Sequence, residues 1–169
     1  MSEIAALSQA LGQRLMELGW TITTAESCTG GGISAAITEI AGSSNYFNCA
    51  FITYSNESKS EMVNVSAQSL VQHGAVSRQV VEQMATGAAK KAKANIAIAV
   101  SGVAGPGGGS AEKPVGTVWI AIYSNNGGSA DRTTVWSHCY LFTGDRNSIR
   151  QRTIETALTK VLALIGEKK

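Results

Sequence analysis

The sequence of 169 residues is short of several things, and each shortage excludes something. Its three cysteines, Cys28, Cys49 and Cys139, are an odd number with no Cys-x-x-Cys spacing. That argues against a disulfide framework and for reduced, buried thiols in a reducing compartment. The two histidines, His73 and His138, stand apart from one another and from any cysteine pair, so no metal-ligand pattern is present. No apolar run approaches the roughly 18 residues that a bilayer-spanning helix needs. The N-terminus carries Glu3, lacks a basic stretch and turns polar quickly, unlike a secretory signal. A cytoplasmic location without a membrane partner is therefore expected. Charged residues make up only 15% of the chain and the formal net charge is +2, with no run of like charges. Charge alone thus gives no surface for nucleic acid, and Lys90, Lys91 and Lys93 read as the solvated end of a helix. There is no internal repeat and no linker, so residues 1–169 are expected to form one domain.

Against these absences stands a globular composition, 44% hydrophobic, arranged periodically. Ile4, Leu7, Leu11, Leu15 and Leu18 recur at helical spacing and stop at Gly19. A strand is expected over 21–25, then a helix over 33–40 that ends near Gly42. The mostly apolar stretch 49–54 reads as a second strand, buried on both faces. Short helical pieces follow at 59–64 and 68–73, and Gly74 ends them. Ser77 is a fitting N-cap for a long helix through Ala94, with Val76 and Val81 at the positions of a hydrophobic staple. The unbroken apolar run 96–100 is the clearest buried strand. Strands at 115–123 and 133–142 flank Asn125-Asn126-Gly127-Gly128 and form an expected antiparallel hairpin. A last helix begins near Asp145 and turns Ile149, Ile154, Leu158, Val161 and Ile165 inward. Alternating helices and strands closed by a hairpin specify an α/β fold. The expected form is a three-layer α/β/α sandwich whose sheet is mixed, mostly parallel, with the antiparallel hairpin at its C-terminal end.

Two glycine-rich turns follow strands, and ligands of open α/β sheets bind beyond the carboxyl ends of the strands. The first, Glu26-Ser27-Cys28-Thr29-Gly30-Gly31-Gly32, enters a helix and offers free N–H groups to an anion or a developing oxyanion. The second, Ser101-Gly102-Val103-Ala104-Gly105-Pro106-Gly107-Gly108-Gly109, lacks the Gly-Lys-Ser/Thr ending of a P-loop. It also fails the dinucleotide pattern, since the sixth position counted from Gly105 is Ser110. It remains a candidate backbone nest for phosphate or ribose, or a plain loop.

Ser27, Cys28 and Thr29 are all candidate nucleophiles, and neither histidine has a reason to be near them. The next candidate base is Lys59, in Thr53-Tyr54-Ser55-Asn56-Glu57-Ser58-Lys59. If the two strands are neighbours, Ser27 and Lys59 emerge on one edge of the sheet. A Ser–Lys pair works when the lysine is neutral; otherwise Lys59 is an ordinary solvent-facing residue. Tyr54 could relay the proton or simply end a strand. Arg146, in Gly144-Asp145-Arg146 at the start of the last helix, could fork onto a phosphate or pair with a surface acid.

Six strings occur in order: Thr24-Ala25-Glu26-Ser27-Cys28-Thr29-Gly30-Gly31, Thr53 to Lys59, His73-Gly74-Ala75-Val76-Ser77, Ser101 to Pro106, Lys113-Pro114-Val115-Gly116-Thr117-Val118 and Gly144-Asp145-Arg146. With them the chain closely resembles the CinA C-terminal domain family along nearly its whole length. The resemblance implies a cofactor-independent amidohydrolase that converts nicotinamide mononucleotide and water to nicotinate mononucleotide and ammonia, in pyridine-nucleotide recycling. It implies Ser27 as nucleophile and Lys59 as base, with Tyr54 beside them and Arg146 on the phosphate. It places Thr29, Gly30, Gly31, Ser101, Gly102, Ala104 and Gly105 around the nucleotide, with no metal. It also suggests a homodimer. The alternative is a non-catalytic nucleotide-sensing module, since relatives are associated with competence and DNA-damage responses.

Overall fold

A computed structural model describes residues 1–127 and 129–166. Gly128, in the expected hairpin turn, and residues 167–169 at the end of the expected domain lie outside the described residues. Helix α1 (Glu3–Leu18) is capped by the Ser2 hydroxyl, which accepts from the Ala5 N–H, and closed by Gly19 at φ 65°. Strand β1 (Ile22–Glu26) leads into helix α2 (Gly32–Thr38), and the short strand β2 (Phe51–Ile52) into helix α3 (Asn56–Val63). Helix α4 (Ala67–His73) precedes helix α5 (Arg78–Ala92), whose N-cap is Ser77 as the sequence indicated. Strand β3 (Ile96–Gly102), the hairpin of β4 (Thr117–Asn125) and β5 (Thr133–Leu141), and helix α6 (Arg146–Gly166) complete the order.

The sheet runs β2-β1-β3-β4-β5. β2, β1 and β3 pair in parallel, and the pairs β3–β4 and β4–β5 are antiparallel, so β4 alone runs against the other four strands. Alternation along β3 separates two cores. Ile96, Ile98 and Val100 face α1, α2 and α6, where Leu11, Ile33, Ile154 and Leu158 meet them. Ala97 and Ala99 face the other way, against Val80, Met84 and Ala88 of α5 and Val63 of α3. These helix layers on the two sides of the sheet give the expected three-layer sandwich. None of the described helices is long and apolar enough to cross a membrane.

Two expectations are corrected. The second strand is neither long nor buried on both faces: only Phe51 and Ile52 pair, and Ile52 is 50% exposed. Its place at the sheet edge, with β1 as its one strand neighbour, explains this, because an outermost strand needs no apolar face on both sides. The cysteines are not uniformly buried either. Cys28 is, while Cys49 and Cys139, near the two opposite edges of the sheet, are exposed. A smaller difference is that β4 begins at Thr117. Gly116 before it has φ 96°, and a Cβ there would overlap the Phe142 carbonyl oxygen.

The small residues facing α5 bring helices close, and α3 meets α5 at Gly87. A Cβ on Gly87 would overlap the Val63 carbonyl oxygen. Replacing a helix-interior glycine by alanine ordinarily adds about 1 kcal/mol. Here overpacking is expected to reverse the sign, so that Gly87→Ala destabilises by about 1–3 kcal/mol. A thermal melt checks this: a lowered Tm is expected, and an unchanged or raised one would show that α3 yields at no cost.

Candidate active site

The site begins where β1 and β2 end. They are parallel neighbours in register, Ala25 beside Phe51 and Glu26 beside Ile52, so the segments leaving them emerge together. The Thr53 N–H donates to the Glu26 carbonyl at 2.8 Å and the Ser27 N–H to the Val100 carbonyl at 3.1 Å, which carries the sheet one residue further. The chain after β2 then turns into α3, where the Ser55 hydroxyl caps the helix by accepting from the Ser58 N–H at 3.0 Å.

This route turns Lys59 back towards the sheet. Its side chain is 1% exposed, so the solvent-facing reading of Lys59 is set aside. Nζ lies 3.1 Å from Ser27 Oγ, 2.7 Å from the Thr53 carbonyl and 3.2 Å from the Tyr54 carbonyl. Burial pushes the ammonium down from its ordinary 10.5 to about 8. A shift of that size disfavours the charged form by about 3 kcal/mol, and desolvation is its leading cause. Two carbonyls and one hydroxyl can accept all three N–H bonds of the ammonium, so it is desolvation and not the hydrogen bonds that favours the neutral amine. Its two N–H bonds satisfy the carbonyls and its lone pair is left for the Ser27 hydroxyl proton.

The turn carrying Ser27 is held from beneath by Glu26, a residue given no role by sequence reasoning. Its carboxylate is fully buried and accepts from the Thr29 hydroxyl at 2.6 Å, the Ile33 N–H at 2.8 Å and the Ser34 N–H at 3.0 Å. The Ser34 and Thr24 hydroxyls donate to it as well. Helix α2 starts from Gly31, which has no side chain to cap it, and Glu26 supplies the missing acceptor from the preceding strand. A helix opening on three glycines was the available signal, because its first N–H groups need an acceptor from elsewhere. Arg150 of α6 supports the turn from the other side, donating to the Thr29 carbonyl at 2.9 Å.

The residues expected at the site, together with the rival nucleophile Cys28, divide into two groups. Ser27, Cys28, Tyr54, Lys59, Ser101, Gly102, Ala104, Gly105 and Arg146 border one cleft of about 330 Å³. Its apolar wall also includes Ala75 and Val76, from the His73-Gly74-Ala75-Val76-Ser77 string. Thr29, Gly30 and Gly31 do not line it. The Thr29 side chain is turned inward onto Glu26, and the Gly30 N–H is already committed to the Ser27 carbonyl at 3.0 Å. The Ser101 hydroxyl donates to the Ala75 carbonyl at 2.8 Å and so ties β3 to the segment before α5. Gly102 has no room for a side chain, since a Cβ would lie 2.7 Å from the Thr117 carbonyl oxygen. Arg146 donates to the Gly105 carbonyl at 2.7 Å and to the Tyr54 hydroxyl at 3.1 Å. The Tyr54 phenol thus meets Arg146, and it is the Tyr54 main-chain carbonyl that meets Lys59.

These features define a three-layer α/β/α domain with its cleft beyond the carboxyl ends of the parallel strands. The sequence profile of the CinA C-terminal domain matches residues 4–165, and the chain belongs to that family. It is 50% identical over 157 residues to the nicotinamide-nucleotide amidohydrolase PncC of Escherichia coli K12, covering 93% of this chain and 92% of the relative. The same named protein of Pseudomonas putida is 46% identical, covering 97% and 98%. Among solved structures, the competence/damage inducible protein CihA of Agrobacterium tumefaciens superposes with a TM-score of 0.91 at 45% identity, covering 97% of this chain and 96% of that one.

The geometry separates the neighbouring candidate nucleophiles Ser27 and Cys28. Cys28 is 5% exposed and burial pushes its thiol up to about 12, so it remains protonated at neutral pH. In the native protein, iodoacetamide is expected to label Cys49 and Cys139 and to spare Cys28, read by peptide mass spectrometry. Rapid labelling of Cys28 would return it to consideration as a nucleophile.

Proposed function

We propose that the protein hydrolyses the carboxamide of nicotinamide mononucleotide, giving nicotinate mononucleotide and ammonia, in the recycling of pyridine nucleotides. The observation that carries this reading is the 3.1 Å approach of a buried Lys59 amine to Ser27 Oγ within the cleft. The names of the half-identical relatives supply the substrate. Residues 1–169 act as one catalytic domain, and no cofactor enters the reaction.

Neutral Lys59 takes the proton from the Ser27 hydroxyl as Oγ attacks the amide carbon. The main-chain N–H of Cys28, the residue after Ser27 that borders the cleft, holds the oxyanion; one such donor is worth roughly 3 kcal/mol in comparable sites. The tetrahedral adduct collapses as Lys59 returns the proton to the leaving nitrogen, which departs as ammonia. Water then attacks the Ser27 ester with Lys59 again as base. The C–O bond to Ser27 breaks, the carboxylate product leaves and the hydroxyl is restored. Arg146 at the rim, with no carboxylate within ion-pair distance among the described residues, takes the phosphate.

Ammonia release from the nucleotide, without added metal, tests the reaction class. Wild type is expected to turn over, and Ser27→Ala to lose at least about a thousandfold in kcat while still binding the nucleotide. Absence of turnover by wild type would favour a binding module, the reading suggested by relatives such as the putative competence-damage inducible protein of Symbiobacterium thermophilum, 44% identical over 38% of its length.

The pH profile provides a separate check. The base must be neutral, and Lys59 is neutral above about 8. The kcat/KM value is therefore expected to rise with pH through about 8 and then level off, since that ratio reports ionisation in the free enzyme. A profile already flat from pH 6 upward would remove Lys59 as the base.

A further inference from the structure

The placement of Tyr54 carries an inference that rests on the proposed reading and deepens it. Tyr54 follows the edge strand β2 and is 60% exposed, so its ring contributes little to either core. It nevertheless makes two polar contacts in opposite directions. Its main-chain carbonyl accepts from Lys59 Nζ at 3.2 Å, and its hydroxyl accepts from Arg146 Nη2 at 3.1 Å. The other terminal nitrogen of Arg146, Nη1, donates to the Gly105 carbonyl at 2.7 Å. The guanidinium is thus gripped through both terminal nitrogens by neutral acceptors from two different loops.

A guanidinium carries five N–H groups in a rigid plane. With one N–H on each terminal nitrogen engaged, three remain, and the plane is fixed before any ligand arrives. Neutral acceptors orient the cation without cancelling its charge, as a carboxylate would. Fixing a long, flexible side chain in advance removes part of the entropy cost that binding would otherwise carry.

We propose that Tyr54 is a positioning residue that determines specificity for a phosphorylated substrate. Its hydroxyl, together with the Gly105 carbonyl, aims Arg146 at the phosphate, while its carbonyl holds the base. One residue thereby spans the interval between the amide-cleaving end of the cleft and its anion anchor. A phenol serving as proton relay would need to face Ser27 or Lys59, whereas this hydroxyl meets Arg146.

The test is a double-mutant cycle with Tyr54→Phe, Arg146→Ala and the double variant, in steady-state kinetics with nicotinamide mononucleotide. Tyr54→Phe keeps the ring and the main-chain contact to Lys59 and removes only the hydroxyl. It is expected to raise KM roughly three- to tenfold, the loss of one hydrogen bond to a charged group at a partly exposed site, with kcat within about twofold. In the Arg146→Ala background the same substitution is expected to change KM no further, because the hydroxyl acts through the arginine. The Tm of Tyr54→Phe should stay at the wild-type value, which separates positioning from a general loss of structure. A large fall in kcat with KM unchanged, or an undiminished KM effect in the absence of Arg146, overturns the proposal. If wild type binds the nucleotide without turning it over, the proposed reaction fails on its own. The same cycle is then read in calorimetric Kd values, where weakening by Tyr54→Phe only when Arg146 is present supports the clamp and any other pattern overturns it.

Discussion

A buried lysine amine is the constraint on which the site depends. Lys59 Nζ lies under α3 and meets two main-chain carbonyls and the Ser27 hydroxyl. Its surroundings make its charge costly, and that cost is offset only where the backbone supplies acceptors at the right places. Those acceptors, Thr53 and Tyr54, are the residues at which the chain leaves the edge strand. The two paired residues of β2 therefore matter beyond their number, because they set where both carbonyls point. The close contact of α3 with α5 at Gly87 keeps the helix over the amine, one turn beyond Lys59. Packing on the alanine-lined face of the sheet and ionisation at its edge are thus parts of one arrangement.

The residues of the cleft separate by origin. Ser27 and Lys59 come from consecutive strand-to-helix turns within residues 26–59, held by parallel pairing of β1 with β2. The cation at the rim comes from the first turn of α6, which reaches the same end of the sheet from the opposite end of the chain. Between them runs the second glycine-rich loop, where Gly102 permits β3 to approach β4 and Gly105 offers its carbonyl to Arg146. Glu26 joins the two layers of this construction. It is a strand residue whose buried carboxylate serves as the acceptor for a helix that begins without a cap.

Much of this was legible in the residues. Helical spacing from Ile4 to Leu18, the apolar run at 96–100 and the Ser77 cap specified elements that the structure contains. The inference that adjacent strands would bring Ser27 and Lys59 to one edge rested on alternation of helices and strands alone. What was not legible depended on neighbours that one-dimensional pattern does not reveal. The stretch 49–54 looks apolar enough for an interior strand, yet its position at the sheet boundary is decided by pairing order. Burial of Lys59 was likewise hidden, since a lone lysine in a short polar helix carries no periodic signal. The Thr29 to Gly31 turn looked open to a ligand because its glycines suggest free N–H groups. Hydrogen bonds within the turn and to Glu26 take up part of that capacity.

The two terminal helices run in the same sense. The first residues of α1 share a groove with Gly32, Asn147 and Arg150, beside the turn that carries Ser27. The last turn of α6 lies at the far end of α1, where Arg14 donates to the Ile165 carbonyl at 3.2 Å. The two ends of the fold are therefore unequal as points of attachment. A passenger domain or surface tether joined ahead of Ser2 emerges at the rim and crowds the approach to the cleft. One joined beyond α6 leaves from the opposite pole, and the mouth of the cleft stays clear.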